Sequence, residues 1–213
     1  MYKIRKMFIV FLTYLLILSN FVACDEIEEK LFIVPDEIKG VREKVTQIAA
    51  DMAQQLDREW GDKHVTLLRS KEGRSFAEYE EMRSVLAYLR EISGAYYVYT
   101  LYPETPESPE NFLLTVDGSA APDDWFERYK TEPPFLQALA GSPSCLAYAW
   151  GNQDDGEDPC WSAFAPIHDS AGNVVCILVI DYPVPEMQAF PEWNKHKPEW
   201  NGIESSIEIT ITK

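Results

Sequence analysis

The sequence predicts an α+β domain in which N-terminal helices back an antiparallel sheet. Before Gly94, apolar residues recur every three or four positions; from Tyr96 onward they gather into short aromatic and β-branched runs between turn residues. The later runs also divide by alternation into two unlike faces, one of small side chains and one of apolar groups mixed with polar ones.

The first helix is expected over residues 36–60, where Ile38, Val41, Val45, Ile48, Met52 and Leu56 form one apolar stripe. A second begins at Ser75, whose Ser-Phe-Ala-Glu pattern has the spacing of a capping box with Glu78, and buries Phe76, Tyr79, Met82, Leu86 and Leu89. Gly94 closes it, since only glycine takes the left-handed conformation of a helix stop at little cost. Strands follow at 96–102 (YYVYTLY) and 111–117 (NFLLTVD), separated by a loop rich in Pro and Glu. Residues 125–140 read as short helical pieces broken at Pro133-Pro134, and strands return at 145–150, 160–167 and 173–181.

If these last three strands form a meander turning near Asp154-Asp155 and between Ser170 and Ala171, Cys145 faces Ala165 and Ala165 faces Cys176. One face then collects Cys145, Ala147, Ala149, Trp161, Ala163, Ala165, Cys176, Leu178 and Ile180, smooth enough for a helix to approach closely. The long first helix is expected there. The other face collects Leu146, Tyr148, Trp150, Cys160, Ser162, Phe164, Val175, Ile177, Val179 and Asp181, an apolar surface with a few polar groups, as small-molecule sites are lined. A carboxylate ending so apolar a strand must be hydrogen-bonded, paired or solvated. Candidate ligand residues are Asp181, Tyr148, Trp150 and Ser162, to which Arg128, in the segment 125–130, adds a cation able to meet a ligand carboxylate.

Residues 1–23 have the form of an export signal: Lys3, Arg5 and Lys6 precede an apolar run from Met7 to Leu18. The run ends on Phe21-Val22-Ala23-Cys24, which resembles a bacterial lipoprotein box and marks Cys24 as the lipidated residue. The protein is therefore expected to sit outside the cytoplasm, anchored to a membrane through Cys24. Residues 24–35 are an acidic tether. The formal net charge is −16, and removal of the three signal cations makes the remainder more acidic still, which disfavours nucleic acid as a partner. After the domain, residues 183–213 form a tail in which PEWN occurs twice, at 191–194 and 198–201, and in which Ile207, Ile209 and Ile211 alternate as in a last half-buried strand.

The pieces YEEMRSVLAYLREISGAYYVYTLYP, NFLLTVDG and SAFAPIHDSAGNVVCILVID resemble the Cache-type, PAS-like extracytoplasmic sensor domains of bacteria. The resemblance covers residues 36–182. It implies a long N-terminal helix behind an antiparallel sheet whose other face cups a small ligand. In such proteins the domain usually precedes a membrane span and a cytoplasmic output module. Here Tyr182 leads to Pro183, Pro185 and the PEWN tail, so the expectation is a sensory domain that passes its information to a separate membrane signalling protein.

No G-x-S-x-G, phosphate-binding Gly loop or H-E-x-x-H is present, and His64, His168 and His196 lack zinc spacing, so neither an enzyme, a cofactor nor a metal is expected. The acidic loop NQDDGED (152–158) has oxygens for Ca²⁺ but not the spacing of an EF-hand, and reads as a solvated hairpin loop. The expected partner is a small polar metabolite, an amino acid or amine ahead of a simple carboxylate, bound by a monomer or weak dimer. The competing expectation is a structural or protein-interaction lipoprotein on a degenerate fold of the same kind, with Trp193 and Trp200 as its contact. Three cysteines remain besides Cys24. In the assumed register Cys145 and Cys176 lie two strands apart, ~9.6 Å, beyond the ~6.8 Å that a disulfide spans, and Cys160 points to the other face.

Overall fold

The computed structural model describes residues 34–56, 58–70, 72–106, 109–151 and 159–195. The segment expected to be an export signal, Cys24, the acidic loop 152–158, the second PEWN copy and the strand expected at 207–211 lie outside the described residues. The chain divides into two units at Gly40 and Val41; of the first, only residues 34–40, which open the first helix, are described.

The architecture is α+β. Helices α1 (Asp36–Gln55), α2 (Arg58–Ser70) and α3 (Tyr79–Ser93) precede strands β1 (Tyr97–Pro103), β2 (Asn111–Asp117) and β3 (Arg128–Lys130). A short helix, α4 (Pro133–Leu139), leads to β4 (Ser144–Cys145), β5 (Ala149–Trp150), β6 (Cys160–His168), β7 (Val174–Pro183) and β8 (Asn194–Lys195). The strands form one sheet in the order β3-β2-β1-β7-β6-β5-β8, with β4 also paired to β6. All pairs are antiparallel except β5 with β8. Among the described residues no helix is long and apolar enough to cross a membrane.

The single helix expected over 36–60 is two. Val45, Ala49 and Met52 are buried from α1 and Leu56 just beyond it, then Trp60, Gly61, His64 and Leu67 from α2, so the spacing of three and four runs on across a change of element. A stripe records which side is covered, and is silent on where the axis turns. Contacts with the β6–β7 hairpin set the course of α2. Gly61 lies so close to β6 that a Cβ there would stand 2.2 Å from the His168 carbonyl oxygen. The Arg58 guanidinium donates to the Asp169 carbonyl at 3.0 Å. Asp62 accepts the Ser170 N–H at 3.0 Å and the Ser170 hydroxyl as well. α2 touches β6 and β7, part of the sheet whose Ala-rich face was assigned above to the first helix as a whole.

Ser75 does not cap α3. It belongs to a 3-10 turn, Gly73–Ser75, and Glu78 precedes the helix without a side-chain cap. Gly94 does end α3, at φ 76° with its N–H on the Arg90 carbonyl. Pro133-Pro134 begins a helix instead of breaking one, because proline's missing N–H would have no partner in a first turn anyway. Residues 128–130 are a strand, drawn into the sheet by pairing with β2.

The β6–β7 register shifts by two residues, and the register of the preceding strand does so only at its start. Ala165 faces Leu178 and Ile167 faces Cys176, because the β6–β7 turn is not centred on Ser170 and Ala171. The Asp169 N–H bonds the Asn173 carbonyl, the Asp169 carboxylate takes the Asn173 N–H at 2.8 Å, and Gly172 supplies φ 85°. The loop is longer, and its centre moves toward Gly172. On the other side of β6, Trp150 faces Cys160 as expected, while Cys145 faces Ala163. The expected strand at 145–150 is interrupted between β4 and β5, which absorbs the difference and leaves Ala147 exposed instead of on the helix-facing side. Because each slip is two residues, the remaining side chains keep their predicted faces.

β6 and β7 are buried over their central residues on both faces. On the Ala-rich side, His64 of α2 bonds Thr115 Oγ1 at 2.8 Å. Against the other side, Phe135 of α4 packs on Phe164 (ring centroids 4.7 Å) and Phe112 (5.3 Å). Beyond Tyr182 the chain stays attached: Val184 and Met187 are buried, and β8 lies along β5.

Candidate functional site

Asp181 stands near the end of β7, between Ser162 on β6 and Tyr97 on β1 in the ladder. The two-residue shift thus puts Ser162, not Cys160, directly opposite it. The Trp150 indole N–H donates to Ser162 Oγ at 2.7 Å, and Ser162 Oγ lies 2.6 Å from Asp181 Oδ1. Direction follows from chemistry: an indole N–H can only donate, so the hydroxyl accepts from Trp150 and spends its one proton on the carboxylate. All three groups are buried, Asp181 at 4% exposure and Ser162 at 1%. Hydrogen bonds to a charged partner contribute ~1.5–3 kcal/mol, against the cost of dehydrating a carboxylate.

Of the sequence candidates, the structure brings Asp181, Ser162 and Trp150 together. Tyr148 is half-buried at the rim with the Lys195 ammonium 4.1 Å from its ring centroid. Burial, with the Glu132 carboxylate second, raises its phenol above the usual range. Arg128 is not brought to the cluster. It faces Leu113, on the side of the sheet opposite Phe112 and Tyr129, and its guanidinium meets Glu104 at 2.6 Å, with both side chains partly buried.

Three residues that the sequence reading missed complete the surroundings. Tyr99 is two positions along β1 from Tyr97 and so on the face of Asp181, and its ring lies 5.8 Å from that of Tyr129 on β3. Burial, reinforced by the Asp181 carboxylate, pushes the Tyr99 phenol well above its usual range. Tyr129 is raised likewise, first by burial and then by Glu127, Asp123, Asp181 and Asp117. The third is Asp117. Strict alternation puts it on the helix-covered side with Leu113 and Thr115, but β2 carries an extra residue between the pairs Leu101–Leu114 and Tyr99–Asp117. Thr115 and Val116 both stand opposite Thr100, whose hydroxyl takes the Val116 N–H at 3.1 Å, and Asp117 is thereby turned to the side of Tyr99. Its carboxylate then organises the following loop, accepting the Ser119 N–H and hydroxyl, each at 2.8 Å, and the Asp123 N–H at 3.0 Å. Asp-Gly-Ser after a strand is the one sequence sign of such a turn.

The arrangement offers fixed acceptors and aromatic surface in an acidic environment. Among the described residues no cluster of His, Cys, Asp and Glu could hold a metal ion, and Cys145, Cys160 and Cys176 are free thiols.

No protein-family model matches the chain, and no curated protein matches it. Similar solved structures include sensory and ligand-binding domains of bacterial receptors. They include the sensor domain of the Vibrio cholerae histidine kinase DctB (13% identity, TM-score 0.48). Another is the ligand-binding domain of the Campylobacter jejuni chemoreceptor Tlp3 in complex with 4-methylisoleucine (17% identity, TM-score 0.34). A third is the periplasmic sensory domain of the C. jejuni chemoreceptor Tlp1 (12% identity, TM-score 0.33). The matches cover 80%, 68% and 75% of this chain and 60%, 57% and 67% of those chains, so the chain spans less than two thirds of the first two. The chemistry of the site has to come from the chain's own residues.

Proposed function

We propose that this protein is an extracytoplasmic small-molecule-binding domain of sensory type, with Asp181 at the centre of its site. The observation that carries the reading is the Trp150–Ser162–Asp181 chain, which holds one buried carboxylate oxygen in a fixed place on the face of the sheet that Tyr99 and Tyr129 share. A preorganised acceptor beside aromatic faces suits a ligand with a positive or hydrogen-donating end, an amino acid or amine, because cations are attracted to ring faces and charge-assisted hydrogen bonds are about twice as strong as neutral ones. Tyr148 borders the site. Arg128 braces β3 beside Tyr129 through its pair with Glu104.

In this reading Cys24 carries the lipid anchor and a separate membrane protein receives the signal. A thermal-shift screen of amino acids, amines, carboxylates and nucleobases tests the binding function, since a ligand at ~100 times its Kd stabilises by about 2.7 kcal/mol. Asp181→Asn should abolish the shift of any hit without unfolding the protein. A variant that binds normally but melts much lower would make Asp181 a structural cap. The anchor is tested by Cys24→Ser, expected to release the protein from membranes; an unlipidated mature N-terminus far from Cys24 would refute it.

A further inference from the structure

Trp150 belongs to two structures at once. Its indole N–H ends the chain that runs through Ser162 Oγ to Asp181, at 2.7 Å and 2.6 Å, while its main chain pairs with Lys195 of β8 on the outer edge of β5. Asp181 lies on β7, separated from β8 by β6 and β5. Of the three residues in the chain, Trp150 is the one whose own strand carries β8.

β8 is lightly held. Val184 and Met187 are fully buried, and the Val184 N–H bonds the Pro159 carbonyl at 2.7 Å, so the chain leaving β7 is fixed as far as Met187. From Gln188 to Lys195 no residue is buried. β8 itself is two residues long and runs parallel to β5, the weaker kind of pairing. The Gly151 N–H reaches the Lys195 carbonyl at 3.3 Å, the Asn194 side-chain N–H donates to the Met187 carbonyl at 2.7 Å, and the Lys195 ammonium lies 4.1 Å from the Tyr148 ring centroid. Against these stands a buried acceptor, Asn194 Oδ1, which meets no donor among the described residues. An acceptor dehydrated without a partner penalises the docked position, which brings the seated and released strand close in free energy.

An element so balanced responds to a small bias. A ligand donor on Asp181 competes with the Ser162 proton for the carboxylate, and whatever turns that hydroxyl is felt by the indole N–H resting on it. We infer that β8 is a latch set by the Asp181 site: Trp150 reads the Ser162–Asp181 bond through its indole and holds Lys195 through its main chain. The inference rests on the reading of the Asp181 face as a binding site, and it makes residues 188–195 the segment whose release presents the state of that site to a partner. The coupling is reciprocal, so that seating β8 and occupying Asp181 bias one another by the same factor.

Hydrogen exchange at the Gly151 amide, in the full-length protein in mild detergent, tests the link, with the Val184 amide as the reference in the fixed part. Ser162→Ala, on a strand not paired with β8, should speed exchange at Gly151 about tenfold or more, and Asp181→Asn by a smaller factor, while Val184 keeps its rate. Trp150→Phe, which keeps a ring and loses the N–H, should match Ser162→Ala and takes its place if that variant does not fold. Gly118→Ala, which disturbs the packing against α3, should leave Gly151 within about twofold of the native rate. Unchanged exchange at Gly151 when the chain is broken, or an equal rise in Gly118→Ala, overturns the latch and leaves the binding site standing. A silent thermal-shift screen removes the site, and with it the sensory role of the latch.

Discussion

Ser162 Oγ lies 2.6 Å from Asp181 Oδ1 and 2.7 Å from the Trp150 indole nitrogen, so a single hydroxyl satisfies a buried acceptor and a buried donor at once. Ser162→Ala removes that bond from each of them, at ~0.5–1.5 kcal/mol for the neutral pair and ~1.5–3 kcal/mol for the bond to the carboxylate. We expect a loss of about 3 kcal/mol in urea unfolding with an unchanged m-value. Asp181→Asn keeps an acceptor for the hydroxyl and should cost less than half as much. An Asp181→Asn loss equal to that of Ser162→Ala would mean that the charge, not the hydroxyl, holds the three together.

Acid should weaken the fold through His64. The imidazole is fully buried, stacked on Trp60 with centroids 5.6 Å apart and bonded to Thr115, and burial lowers its pKa from 6.5 to about 3. The folded protein therefore keeps His64 neutral where the unfolded chain takes up a proton. The stability associated with the neutral ring is complete above pH 6.5 and is lost progressively as the pH falls toward 3, at about 1.4 kcal/mol per unit. His64→Gln, which retains a partner for Thr115, should flatten the pH dependence of unfolding over that window relative to the native protein. Parallel curves for the two proteins would show that His64 is not the group responsible.

Two glycines are fixed by contact and one is not. A Cβ on Gly61 would stand 2.2 Å from the His168 carbonyl oxygen, and one on Gly118 2.7 Å from the α3 backbone at Leu86 and Ala87. Alanine at either position should destabilise by about 2 kcal/mol or more, the range of an overpacked core. Gly40, within α1, has nothing within 4 Å of its would-be Cβ, and Gly40→Ala should stabilise by up to ~1 kcal/mol through helix propensity. Thermal unfolding of the three variants checks the ranking.

Cys145, Cys160 and Cys176 should all alkylate under denaturing, non-reducing conditions. In the folded protein Cys145, only partly buried, should react first. Cys176 should be slowest, because it is fully buried and its thiol is pushed well above the usual range by that burial. Peptide mapping that finds two of the three protected after denaturation would mean a disulfide, which the ladder pairings of Cys145 with Ala163 and Cys176 with Ile167 do not permit.

Much of the candidate site's arrangement was legible because alternation in a strand has a period of two. Asp181, Ser162 and Trp150 were placed on one face from residue order alone, and a register error of two residues left that partition intact. The helix stop at Gly94 was equally readable, since it depends on one residue's own backbone preference. What could not be read was whatever depends on contacts between distant segments. The bend between α1 and α2 is set by the β6–β7 hairpin, more than a hundred residues onward, while the apolar stripe passes through it unbroken. Tyr129 joined the site only because residues 128–130 paired with β2 instead of coiling into a helix. Asp117 came to the face of Asp181 through one extra residue opposite Thr100, and a bulge of that kind reverses every side chain beyond it without altering the sequence pattern from which faces are inferred. Local preference and periodicity are properties of neighbouring residues and are written along the chain. Register, bulges and helix direction are settled by hydrogen bonds and close packing between segments that meet only once the chain has folded.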